Sequence, residues 1–577
     1  MKKTVLIIIA MWYLLSANTT FAFTHADTLR GSNGRSRSWW DVQKYDLKLH
    51  VRVDGAVEGF VMMVFRVTGV PTDSMQIDLQ DSMWLYGVEG RIMKNGWSDY
   101  ENVGKYVGND NGDFSVRSND LVREKDVYWL KHSFSKEFVS GDLVCIGFGF
   151  RGKPRKAVNP PWDGGISVKA DSSGKPWLAV SCQGLGASAW WPCKDAQWDE
   201  PDSGMTISIC PPEGLAAVSN GRLVKVDTES MIAHGTDGVC RRSNWVVWQW
   251  QVKNPINNYD VSFYIGDYVH WSDTIMGEKG KLDLDYWVLR ENEQQARKQF
   301  AVTKQMLHCF EYWMGPYPFY EDGYKLVDAP YLGMEHQSAV AYGNGYQMGY
   351  LGYDRTGTGI GMNFDYIIIH ESGHEWFGNN VTANDMADNW VHEGITTYSE
   401  SLFEECLTGK EKGQAYCRGE WRNIRNDKPI IGPYGVNEEG SGDMYDKGAA
   451  IMYMIRQLTN DDEKFRQMLR GLGKEFYHQT VTTQQVETYI AAHTGLDLKA
   501  FFDQYLRTAD IPVLEYSIKH KQLRYRFSNV VPGFTLPITA KAGKNTVTLQ
   551  PTTEWQTMKW GKGYNIKFSK DFLIEVK

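Results

Sequence analysis

The sequence predicts a multidomain α+β protein, with a large N-terminal β domain, a helix-rich domain that carries the chemistry, and a small C-terminal β domain. Three observations carry this reading. The chain has 577 residues, too many for one hydrophobic core. Apolar residues alternate with period two up to about Tyr268 and again after Ile511. Between those stretches the period shifts to that of amphipathic helices. A composition of 42% hydrophobic and 23% charged residues excludes a disordered chain. The net charge of −8 excludes nucleic acid as a partner.

The elements follow in order. Lys2 and Lys3 precede an apolar run from Val5 to Leu15, and Thr20-Phe21-Ala22 offers a small-x-small cleavage site, so residues 1–22 read as a signal peptide. The mature protein is expected to be exported, periplasmic or secreted. No later stretch reaches the roughly 20 apolar residues that span a bilayer, so no membrane span is expected after cleavage. Phe23 to Ser38 is polar and is expected to be mobile. Tyr45 to Val53 alternates as a half-buried strand, and Gly59 to Val67, Leu143 to Phe150 and Trp245 to Val252 follow between Gly, Asp, Asn and Pro turns. Residues 23–272 therefore read as a β-sandwich or saddle. A strand at Leu282 to Leu289 and a helix from Asn292 to Trp313, stopped by Gly315-Pro316, open the second domain, 273–510. Its further helices are expected at Tyr445 to Leu458, Asp462 to Gly471, Thr483 to His493 and Leu498 to Leu506. Strands such as Leu523 to Phe527 and Thr546 to Leu549 make 511–577 a small β domain. The eight cysteines suit an oxidising compartment. Cys406 and Cys417 are close enough in sequence to form a pair, with free buried thiols the alternative.

The chemistry lies in His370-Glu371-Ser372-Gly373-His374, with Glu393 nineteen residues after the second histidine. Side chains four apart share a helix face, so His370 and His374 can chelate one metal ion from a single turn. The apolar run Tyr366-Ile367-Ile368-Ile369 would bury the back of that helix. A catalytic zinc takes three protein ligands and leaves a fourth position to water, and Glu393 suits the third. Glu371 is left free to accept a proton from that water. One Zn²⁺ is the expected cofactor.

The run from His370 to Thr382, with Asp388-Asn389-Trp390-Val391-His392-Glu393-Gly394, closely resembles the zinc-binding block of the aminopeptidase N family of gluzincins, which includes leukotriene-hydrolysing aminopeptidases. Gly333-Met334-Glu335-His336-Gln337 resembles the family's GxMEN exopeptidase motif, which implies that Glu335, presented with Gly333 and Met334, holds the substrate's free α-amino group. Tyr445-Asp446-Lys447-Gly448 is similar to the segment whose tyrosine hydrogen-bonds the tetrahedral intermediate, a role that falls to Tyr445. Gln183, ten residues before Cys193, matches a substrate-binding glutamine. The resemblance spans about Tyr45 to Leu506 and implies a thermolysin-like catalytic domain. The chain departs from the pattern at Leu332, at His336 and at His392. His392 is expected to pack beside the site, and Glu400 to hydrogen-bond a ligand histidine. The glycine-rich segment Gly343 to Gly361 is expected to be a flexible connection beside the cleft.

The function implied is a zinc-dependent aminopeptidase acting on peptides with a free N-terminus. A thermolysin-like endopeptidase would share the zinc residues without an amine anchor, and an epoxide hydrolase would share nearly every motif.

Overall fold

The computed structural model describes residues 23–93, 96–100, 114–115, 120–234, 240–542, 545–560 and 566–577. The expected leader, 1–22, lies outside the described residues. The architecture is mixed α+β, with several sheets around a helical middle.

The first unit is built on an eight-stranded sheet. Its strands are β1 Trp40–Val51, β2 Val57–Val67, β3 Met83–Ile92, β4 Phe114–Ser115, β5 Leu143–Gly152, β6 Met205–Cys210, β7 Arg222–His234 and β8 Cys240–Val252. They lie in the order β7-β8-β6-β1-β2-β5-β3-β4. A four-stranded sheet joins Gly165–Ala170, Pro176–Ser181, Ala216–Ser219 and Phe263–Gly266. Val42, Leu47, Leu49, Val61, Phe65, Ile146 and Phe148 from the large sheet share one core with Leu178, Val180 and Phe263 from the smaller. That core runs on into Val327, Met334 and Ala341 of the next unit, so the first unit seats directly on the strands that present the site.

The middle unit begins with a five-stranded sheet of β9 Tyr268–Gly277, β10 Gly280–Leu289, β11 Tyr324–Asp328, β12 Gly333–Met334 and β13 Val340–Tyr342, ordered β9-β10-β11-β13-β12. The helix expected from Asn292 to Trp313 is interrupted: helical turns at Glu293–Gln299 and Thr303–Met314 flank a 3₁₀ turn at Phe300–Val302. The reason is local, because buried Thr303 donates its hydroxyl to the Phe300 carbonyl at 2.6 Å and competes with the regular backbone bond.

Five helices matter below: α1 His25–Gly31, α2 Thr303–Met314, α3 Tyr366–Gly373, α4 Trp390–Thr408 and α5 Asp446–Thr459. The segment expected to be mobile, Phe23 to Ser38, instead contains α1, capped by Thr24 and followed by the fully buried Arg37. Cys309 on α2 is disulfide-bonded to Cys406 on α4. Cys417 is a free buried thiol, so the Cys406 to Cys417 pairing is not made. The last strands, from Val513–Lys519 onward, bury Leu514, Leu523 and Phe527 against the helical core. Among the described residues no helix is long and apolar enough to cross a membrane.

Candidate zinc and amine site

Helix α3 starts where Asp365 accepts from the Ile367 and Ile368 amides, and Tyr366 to Ile369 are buried behind it. Four residues on, His370 and His374 bring their Nε2 atoms to 3.3 Å of each other. Glu393, in the first turn of α4, sets its Oε2 at 3.6 Å from the first ring and 3.3 Å from the second. A tetrahedral ion with ligand bonds of about 2.0–2.1 Å needs donor separations of about 3.3–3.4 Å. The triangle matches. Glu393 Oε2 is also buried and accepts no hydrogen bond. The donor set fits one Zn²⁺.

The outer atoms orient these donors. His370 Nδ1 lies 2.7 Å from Glu400 Oε1, and His374 Nδ1 lies 3.1 Å from the Phe377 carbonyl. Each Nδ1–H is thereby engaged, which leaves each Nε2 lone pair for a metal. Tyr416 donates to the second Glu400 oxygen at 2.6 Å. Glu400 therefore holds the position expected of a histidine partner. His392 accepts from the Ala383 amide at 2.6 Å and is no part of the donor triangle. Burial holds its pKa down to about 3, so it is a neutral structural ring. Helices α4 and α5 cross where Gly394 faces Gly448; a Cβ on Gly394 would lie 2.8 Å from the Gly448 Cα.

Glu371, one residue after His370 on α3, lines the same cleft as the two histidines. Burial, opposed by the two histidines and reinforced by Glu335 and Glu393, raises its pKa to about 7. Burial also works against the charged form of His370, but the neighbouring Glu393 and Glu400 carboxylates lift its pKa to about 10. Gly333 lies against the Glu371 carboxylate, and a Cβ there would sit 2.6 Å from Oε1. Met334 is buried in the shared core, and Glu335 is 2% exposed. Glu335, Glu371 and His374 present atoms within 4.8 Å of one another. Burial, and secondarily Glu393, raise the Glu335 pKa.

Gln183 comes from the first unit. Its Nε2 donates to Glu335 Oε1 at 2.7 Å and to Glu393 Oε1 at 2.8 Å, leaving Oε1 as its remaining acceptor. Tyr445, at the start of α5, stacks on His370 with ring centroids 5.9 Å apart. All these groups open into one cleft of about 760 Å³.

Four wall features escaped the sequence reading. The glycine-rich segment is tied to the site by specific side chains. Asn344 is buried and donates to Asp365 Oδ1 at 2.8 Å, and Arg355 pairs with Asp446 at 3.1 Å and donates to Tyr366. Arg355 is the sole basic residue between Gly343 and Gly361, which was the available signal. Glu439 lines the cleft and accepts from Asn389 at 3.0 Å. Trp162, 61% exposed, and Tyr353, 60% exposed, stand among the residues lining the cleft. No spacing pattern marks these last three.

Residues 299–505 match the model of the Peptidase family M1 domain, a span that holds the histidines, Glu335, Glu393 and Tyr445 but not Gln183. The chain is 24% identical over 342 residues to leukotriene A-4 hydrolase of Xenopus laevis, covering 56% of this chain and 51% of that protein. It is 24% identical over 364 residues to aminopeptidase B of Mus musculus, covering 59% and 50%. The chain thus spans about half the length of these curated relatives. Its fold is like that of the M1 zinc metallopeptidase from Deinococcus radiodurans, with TM-score 0.62, 18% identity, and coverage of 83% of this chain and 95% of that one. It is also like a two-domain M1 zinc metallopeptidase bound to L-tryptophan, with TM-score 0.63, 17% identity, and coverage of 83% and 96%.

Proposed function

We propose that this chain, which carries a peptidase family M1 domain, is a zinc aminopeptidase that removes single residues from the free N-termini of peptides. One observation carries the reading: the buried carboxylate of Glu335 lies within 4.8 Å of both Glu371 and His374. In an aminoacyl group the amine nitrogen and the carbonyl carbon are two bonds apart, about 2.5 Å. An ammonium held by Glu335 therefore sets the first carbonyl of the chain, and no later one, beside the base and the metal ligands. A charged ammonium in a low-dielectric cleft needs a fixed carboxylate, which an endopeptidase would not require.

Zn²⁺ held by His370, His374 and Glu393 supplies Lewis acidity towards water and the scissile carbonyl. Glu371 takes the proton of the attacking water on its carboxylate and returns it to the departing amine. Tyr445 donates its hydroxyl hydrogen to the developing oxyanion, a contribution worth about 2.7–4 kcal/mol of barrier. Glu335 and the free Oε1 of Gln183 receive the ammonium. The same reading has the leader removed and the protein working in the periplasm or the medium. The Cys309 to Cys406 disulfide, with Cys406 at the exposed end of α4, is in keeping with an oxidising compartment.

The test is a panel of aminoacyl chromogenic amides, free and N-acetylated, offered to the mature protein and to Glu371→Gln with zinc content measured. Hydrolysis of free-amine substrates alone, lost in the zinc-loaded variant, is the expected result. Equal hydrolysis of acetylated substrates would refute the amine anchor, and cleavage of neither form would refute the peptidase reading.

A further inference from the structure

The glutamine that joins Glu335 to Glu393 stands on a loop with little regular structure of its own. Gly184 and Gly186 both take positive φ, 71° and 88°, so the loop turns through conformations that side chains resist. Its backbone is held from outside. The Leu185 carbonyl accepts from Gln80 Nε2 at 2.6 Å and from the Arg30 guanidinium of α1. The Gly184 carbonyl accepts from Asn437 Nδ2 at 3.1 Å. Asn437 lies two residues before Glu439 of the cleft wall, and its own amide donates to the Asp27 carbonyl of α1 at 3.3 Å. Gly31, at the end of α1, packs so closely on Val436 that a Cβ would lie 2.2 Å from the Val436 carbonyl carbon. One short helix thus touches both the Gln183 loop, at Leu185, and the segment 436–437 that also holds that loop.

The helix is itself pinned. Buried Arg37 donates to the Arg30, Ser32 and Leu29 carbonyls at 2.9, 3.3 and 3.4 Å, filling the orphan acceptors at the end of α1. Its other nitrogen reaches Asp78 and the Asp195 carbonyl, the latter at 3.0 Å. Asp195 in turn accepts from the Ala187 and Ser188 amides at 3.2 and 3.0 Å, which closes the circuit on the Gln183 loop.

We propose that α1 is a strap that holds Gln183 in register with Glu335 and Glu393, with Arg30 and Asn437 as its positioning residues. The functional half of this proposal rests on Gln183 receiving the substrate amine. The strap therefore acts on substrate binding, through KM, while His370, His374 and Glu371 on α3 keep their own supports.

The experiment uses the mature chain with Arg30→Ala, Arg30→Lys, Gln183→Ala and, as a control, the exposed Arg35→Ala. Amide hydrogen exchange, zinc content and steady-state kinetics on a free-amine aminoacyl amide are measured. Arg30→Ala is expected to speed exchange in 182–189 about tenfold, the weight of one charge-assisted hydrogen bond, with 366–374 and zinc content unchanged. KM rises about fivefold to tenfold at constant kcat, and Arg30→Lys recovers part of both effects. Unchanged exchange in 182–189, or faster exchange in every segment alike, overturns the strap. Faster exchange confined to 182–189 with an unchanged KM overturns its positioning role where Gln183→Ala itself raises KM. A Gln183→Ala variant with unchanged KM refutes the amine reading beneath it, and exchange alone then decides whether α1 straps the loop.

Discussion

Replacing Gly333 by alanine adds one methyl group against the residue read here as the proton carrier. Built on the present backbone, that Cβ lies 2.6 Å from Glu371 Oε1 and 2.8 Å from Ile367 Cγ2. Ordinary contact between such atoms is about 3.5 Å or more, so the carboxylate must retreat by nearly 1 Å. Ile367 stands on α3 one turn before Glu371, so shifting the whole helix is obstructed by packing that is already closed. A misplacement of about 1 Å costs up to roughly a hundredfold in rate, and overpacking costs about 1–3 kcal/mol of stability. The expected kcat falls by about ten- to a hundredfold, or about 1.4–2.7 kcal/mol of barrier, with KM and zinc content near those of the parent. Gly442→Ala is the matched control, because Gly442 lines the same cleft yet a Cβ there meets nothing within 4 Å. Turnover of a free-amine aminoacyl amide, thermal melting and metal analysis are read on all three proteins. A Gly333→Ala enzyme with the parent's kcat would refute the placement of Glu371 in the reaction.

Further outcomes follow from the same geometry. Glu400→Ala removes the acceptor on His370 Nδ1, and competition with a chelator is expected to show zinc affinity weakened about ten- to a hundredfold. Arg37→Ala removes the ion-pair partner of buried Asp78, which should cost about 3–5 kcal/mol in urea unfolding, whereas a loss under 1 kcal/mol would mean that water reaches the aspartate. Burial lowers the pKa of His336 to about 3, so the folded ring stays neutral while the unfolded one takes a proton below its ordinary value near 6.5. Its stability contribution is therefore lost as pH falls from about 6.5 towards 3, and amounts to about 2 kcal/mol by pH 5. His336→Asn should flatten the pH dependence by that amount between pH 7 and 5, and an unaltered slope would count against a neutral buried ring.

The candidate metal donors are legible in sequence because one helix turn sets the spacing of His370 and His374, and Glu393 lies in the first turn of α4. Glu335 was legible as a motif on a short strand. What the sequence hid was set by contacts between distant segments. Phe23 to Ser38 looked like a polar tail because α1 is stabilised by Arg37 and by two loops far along the chain, not by an apolar face of its own. The glycine-rich segment looked like a linker because its order rests on Asn344, Asp365 and the Arg355 to Asp446 pair, none of which marks a pattern. The Asn292 to Trp313 helix kept its period through Phe300, and only the back-bond from Thr303 betrays the break. The partner of Cys406 was missed because nearness in sequence says little when two helices meet across the fold.

The bond between Cys309 and Cys406 acts on the chain even before any fold exists. It closes a ring by joining cysteines 97 positions apart, and in the chain-entropy view a loop near that size withdraws about 4.7 kcal/mol of freedom from the denatured ensemble. Glu335, His370, His374 and Glu393 all fall inside the ring, while Gln183 and Tyr445 lie outside it. The oxidised, denatured polymer thus keeps the candidate metal donors and Glu335 tethered at a high effective concentration, whereas Gln183 and Tyr445 arrive only with the fold.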